Sequence, residues 1–134
     1  TKRRKGRKMT KKCEVYRCQV CGNVVEVLHP GAQMSCCGQP MTLLRENTAD
    51  GAREKHVPVV EPVSGGWKVA VGSVEHPTTA EHHIQWIELF MAHGMMRREL
   101  CPGDKPEAVF LTADCPLCVR AYCNLHGLWR KDVG

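Results

Sequence analysis

No apolar run in the chain approaches the roughly 20 residues needed to cross a bilayer, so no membrane-spanning helix and no membrane partner are expected. The first twelve residues are basic, yet no apolar stretch follows them, and no secretory signal is expected either. Internal repeats are absent, which excludes solenoids and propellers. Aromatic residues are scarce at 5%. What remains is ordinary for a globular protein: 43% hydrophobic and 25% charged residues in 134 positions. That length allows one domain, or a small module attached to one of about 100 residues. The unusual counts are nine Cys and seven His. They are the composition of a metal protein.

Charge is unevenly placed. Residues 1–12, TKRRKGRKMTKK, hold eight of the 19 Lys and Arg and no acid, which leaves the remaining chain 11 bases against 14 acids. The arm is strongly basic and the body mildly acidic. Such an arm reads as a solvated, disordered tail, as translated sequence ahead of a start at Met9, or as a contact for nucleic acid or another anionic surface.

Residues 13–44 form a cysteine-rich unit. Cys18 and Cys21 bracket two residues, Val24 to Leu28 read as a short strand, His29-Pro30-Gly31 makes a turn, and Cys36-Cys37-Gly38 closes the unit. A unit of this size buries little apolar surface and needs a staple. Residues 45–53, with their Asp50-Gly51 turn signal, read as a linker. From 54 to 134 short runs separated by turn signals indicate an all-β sandwich. Val57, Val59 and Val60 lie in a Pro-punctuated edge strand, and Gly65-Gly66 turns into WKVAVGSV. HHIQWIELFM (82–91) reads as a strand with Ile84 and Trp86 on one face and Ile87 and Leu89 near the other, although a helical period also fits it. EAVFLTA is a further strand.

Two constellations carry chemistry. Cys18-x-x-Cys21 with Cys36-Cys37 offers four thiolates to one tetrahedral ion, zinc or iron; two disulfides are the alternative. The adjacent pair requires an unusual S–metal–S arrangement. His56, His76, His82, Cys123 and His126 together supply four imidazoles and a thiolate, more than a closed structural zinc site takes, and on an octahedral metal they leave one position open. Taken singly, each of these histidines reads as an ordinary surface or core residue.

CxxCGNVVEVLH, CCGQPM, EKHVPVVE, GSVEHP, HHIQWIEL, PGDKPEAVF and YCNLHGLW, in this order over residues 14–130, resemble desulfoferrodoxin, the two-iron superoxide reductase family. The resemblance implies a desulforedoxin-like N-terminal domain and an immunoglobulin-like β-sandwich. It implies two non-haem irons per chain: one held by Cys18, Cys21, Cys36 and Cys37, the other, catalytic, by His56, His76, His82 and His126 around it with Cys123 axial. Glu54 and Lys55 match the pair that flanks the open site in the family. An axial thiolate pushes electron density onto iron. Lys55 would draw in anionic superoxide and help to organise a proton-donating water, and Glu54 would help to expel hydrogen peroxide. A reductase needs an external electron donor, such as a rubredoxin-like protein. A homodimer is also implied; a cytoplasmic location is expected, and a nucleic-acid partner is not.

The chain departs from the family in Cys13, Cys101, Cys115 and Cys118, which belong to neither site. Cys115-Pro-Leu-Cys118 reads as a redox pair, a stray metal contact or incidental thiols. His83, beside His82, reads as solvent-facing, and His29 and His93 are given no role. Two other readings stand beside the enzyme. A rubredoxin-like electron carrier would work through the four-thiolate centre, and a zinc-binding module would touch nucleic acid with its basic arm.

Overall fold

A computed structural model describes residues 9–48, 56–72 and 77–133. Among them every regular element is a β-strand, and the chain divides into two compact units at Leu44/Arg45. Glu54, Lys55 and His76, three of the residues assigned above, lie outside the described residues, as do residues 1–8 of the basic arm and 49–53.

In the first unit, β1 (Val15–Arg17) lies between β2 (Val24–Glu26) and a later strand, and β3 (Ser35–Cys36) pairs with β4 (Gln39–Pro40). The later strand is β5 (Thr42–Leu43). Its buried apolar residues are few: Val15, Cys18, Val27 and Met41. Residues 9–12, expected as the end of a disordered arm, are instead placed against this unit. Thr10 is buried, its N–H donates to the Gly31 carbonyl at 2.8 Å, and its hydroxyl accepts from Gly31 N–H at 2.9 Å. The short Thr side chain satisfies the Gly31 backbone 21 positions away, a bond that bulk composition does not register.

The second unit is two facing sheets. β6 (Glu46–Asn47), β7 (Pro58–Val63), β8 (Gly66–Val71), β9 (Ile84–Met91), β10 (Gly94–Glu99), β11 (Glu107–Leu111), β12 (Cys118–Cys123) and β13 (Gly127–Asp132) follow in chain order. The larger sheet runs β10-β9-β12-β13-β6 and the smaller β11-β8-β7. Glu46 and Asn47, expected in a linker, form the parallel edge strand beside Leu128 and Trp129. Between the sheets lie Val69, Val71, Ala108 and Phe110 from one and Ile84, Ile87, Leu89, Val119, Ala121 and Cys123 from the other. β7 is an edge strand, the position that tolerates the missing N–H groups of Pro58 and Pro62.

A bulge corrects the expected faces of β9. Tyr122 pairs with Trp86 but Cys123 pairs with Ile84, so Gln85 is an extra residue opposite β12. One added residue reverses the alternation and brings Ile84 into the core with Ile87 and Leu89. The other face of the sheet also hides charge. Glu88 is 0% and Arg120 is 2% exposed, and their ion pair closes at 2.9 Å. Arg97 reaches Glu88 at 3.0 Å, Arg120 reaches Glu46 at 2.9 Å, and Arg130 reaches Glu46 at 3.0 Å. Five strands are tied by these groups.

Candidate metal centres

The four cysteines of the first unit come together because two tight turns face each other. After Cys18 the chain folds back, with Gly22 N–H donating to the Cys18 carbonyl at 2.9 Å and Gly22 itself at φ 83°. Across from it, Cys37 and Gly38 form the two-residue loop of the β3–β4 hairpin, with φ of 53° and 75°. Positive φ at both positions is the type I′ turn. Glycine takes that conformation readily, whereas Cys37 does so against its Cβ. This is how neighbouring cysteines, awkward in an extended chain, both face one point. Their Sγ atoms are 3.9 Å apart, and Cys21 and Cys36 are 3.7 Å apart. A tetrahedron of sulfurs about 2.3 Å from a metal has edges of about 3.8 Å. The donor set therefore fits a four-thiolate ion.

Its thiols titrate apart. Backbone N–H groups of Cys21 and Val20 hold the Cys18 thiol down at about 6. Contacts with the Cys21 and Cys18 sulfurs push Cys37 up to about 12. A cation among the four would turn this mutual repulsion into coordination. Cys21 and Cys37 are exposed and Cys18 is buried, so the set is open to solvent on one side. Sulfur separations of 3.7 and 3.9 Å favour a shared ion over the disulfide alternative in this set.

In the second unit, His56, His82, Cys123 and His126 place their donor atoms within 4.8 Å of one another. His56 lies just ahead of β7. His82 is held in a turn before β9, where its N–H meets the Thr79 hydroxyl at 3.1 Å. Cys123 ends β12, and His126 stands in the three-residue turn into β13. His56 Nε2 and His126 Nδ1 are 3.1 Å apart, and Cys123 Sγ is 3.8 Å from His126 Nδ1. The rings of His56 and His82 are nearly parallel with centroids 6.4 Å apart. His126 stands edge-on to both, 4.8 Å from each. Imidazoles bound at about 2.1 Å would put opposite centroids roughly 6.5 Å apart and adjacent ones roughly 4.6 Å apart. These three rings thus occupy three corners of a square, and Cys123 supplies sulfur beside it.

Burial sets the character of that sulfur. Cys123 is 0% exposed, and burial pushes its thiol upward while the backbone N–H groups of His126 and Leu125 pull it down. Two residues not singled out by sequence hold the set. Asn124 donates to the Glu81 carbonyl at 2.9 Å and accepts from His83 N–H at 2.9 Å, joining the β12–β13 turn to the His82 segment. Trp129 touches both His56 and the His126 turn. Both lie inside YCNLHGLW, where their nearness to Cys123 and His126 was the available signal. His83, expected to face solvent, is buried instead, since Asn124 draws residues 81–83 against the turn.

The Desulfoferrodoxin family model matches residues 48–132, and the model of the Desulfoferrodoxin N-terminal domain matches residues 10–44. The chain belongs to the desulfoferrodoxin family. The desulfoferrodoxin of Syntrophotalea carbinolica is 58% identical over 125 residues, 92% of this chain and 99% of that protein. That of Nitratidesulfovibrio vulgaris is 50% identical over 126 residues, 93% of this chain and all of the relative at 100%. Among solved structures, the superoxide reductase from Treponema pallidum aligns with a TM-score of 0.73 at 30% identity, covering 95% of this chain and 100% of its own. Both donor sets thus lie within desulfoferrodoxin domains and suit two iron centres. Cys115 and Cys118 join neither donor set: Cys115 is exposed, and burial raises the Cys118 thiol, as expected of an inert small side chain.

Proposed function

We propose that this chain is a superoxide reductase, in which one electron and two protons convert superoxide to hydrogen peroxide. The carrying observation is the second donor set, three imidazoles at the corners of a square with a fully buried thiol beside them. Ferrous iron held there would supply the electron. His56, His82, His126 and Cys123 would be its ligands in this reading, with His76 supplying the further imidazole. Neutral imidazoles leave net positive charge at such a site, which suits an anionic substrate. Cys123 keeps its sulfur out of water, and the N–H groups of Leu125 and His126 temper its charge.

Lys55 draws superoxide in by its field and orders the water that delivers protons. Glu54 assists release of peroxide. His126 is exposed, so substrate reaches the set from the surface. Cys18, Cys21, Cys36 and Cys37 would hold the first iron, and the exposure of Cys21 and Cys37 would leave that centre within reach of a partner. An external donor, such as a rubredoxin-like protein, must return the second iron to the ferrous state. The chain acts in the cytoplasm as a homodimer, each copy with a cysteine-rich unit ending at Leu44 and a catalytic sandwich from Arg45 onward. Among the described residues no helix is long and apolar enough to cross a membrane.

Metal analysis with a visible spectrum tests the reading. Two irons per chain and a thiolate-to-iron band distinct from that of the four-sulfur centre are expected. Colourless, zinc-filled protein from iron-replete cells would overturn it.

A further inference from the structure

His56 and His126 are 70 positions apart in the chain, yet one side chain touches both. The Trp129 indole lies face to face with the His56 imidazole, centroids 4.7 Å apart and planes inclined by 18°. Its Nε1–H donates to the His126 backbone carbonyl at 3.0 Å. The strand that carries it is fixed on both sides. Trp129 pairs with Ala121 of β12 and with Asn47 of β6, and Asn47 Nδ2 donates to the Leu128 carbonyl at 3.0 Å.

We propose that Trp129 is a positioning residue of the second metal centre, which aligns the His56 ring by stacking and the His126 turn by its N–H. Imidazole ligands need an outer partner to set their orientation, and loss of such partners costs 10–100-fold in metal affinity. Here one indole serves two adjacent ligands, whose donor atoms are 3.1 Å apart. Its rigid ring holds them with little conformational freedom to lose. The two contacts are also separable. Trp129→Phe keeps an aromatic face for His56 and removes the donor to His126, while Trp129→Leu removes both.

The inference rests on the proposed ligand set, and the experiment separates the two. Iron-loaded wild type, Trp129→Phe and Trp129→Leu are challenged with EDTA while both visible bands, the ferric electron paramagnetic resonance spectrum and the thermal midpoint are followed. In wild type both centres show their bands. Release from the second centre is expected to quicken about tenfold in Trp129→Phe and up to about 100-fold in Trp129→Leu. The ferric resonance of that centre changes shape in both, while the four-sulfur centre keeps its band and its release rate. Wild-type release rates and spectra in both variants overturn the positioning role alone. So does parallel loss of both centres with a lowered thermal midpoint, which would mark a general packing defect. A wild type without the second band overturns the ligand set and this inference with it.

Discussion

Cys123 is the side chain on which the proposed reaction depends most. It is fully buried at the end of β12, and its sulfur is the one soft, anionic donor among borderline imidazoles. Cys123→Ser exchanges a polarisable sulfur for an oxygen that is hardly ionised. Loss of the second centre's thiolate-to-iron band and of superoxide reduction is expected, with the four-sulfur band retained; visible spectra and pulse radiolysis check both. Cys115→Ser and Cys118→Ser are the controls, since neither residue joins a donor set. The role proposed for Lys55 is exerted through its field. Lys55→Ala should slow the encounter with superoxide by about tenfold and flatten its dependence on ionic strength. A salt series of the second-order rate reads this, and an unchanged slope removes Lys55 from the mechanism.

At the level of elements, the three clearest strands were legible because valine, isoleucine and aromatic residues alternate in them. β10, β12 and β13 were not. CVRAYC and GMMRRE carry arginine where a two-sided pattern predicts apolar residues, and Arg120 is buried because Glu88 and Glu46 neutralise it. Pairing across strands is invisible to a period-2 reading. The bulge at Gln85 was hidden for the same reason, since it exists only in register with β12. By contrast, the four cysteines of the first donor set stood out through their spacing, and the second set through Cys123-x-x-His126 together with the family resemblance, while Asn124 and Trp129 reach His83 and His56 through contacts across the fold. The buried ion network yields a stability test. Glu88→Ala strands the Arg120 charge, although Glu46 still partners it, and should cost about 3 kcal/mol. Urea titration should show a lower midpoint at an unchanged slope. Glu88→Gln, which keeps the shape, should lose less.

Across the whole molecule, two units solve the problem of stability differently. The sandwich has a continuous apolar core, whereas the first unit buries only a handful of apolar side chains and relies on its four sulfurs. Cys18→Ser should therefore abolish the first centre and disorder its unit while the second centre keeps its band and its reaction with superoxide. Amide hydrogen exchange on residues 13–44, run beside the kinetics, checks both halves of that statement. Loss of the superoxide reaction in a protein whose sandwich remains folded would instead give the first iron a direct part.

Reduction and dismutation are told apart by their products. The fully reduced, two-iron protein is mixed with a limiting amount of superoxide, and hydrogen peroxide and dioxygen are measured together. A superoxide reductase gives one hydrogen peroxide for each superoxide consumed, no dioxygen, and oxidation of the second centre in equal amount. Half a peroxide and half a dioxygen per superoxide, with the second centre still ferrous, would contradict it.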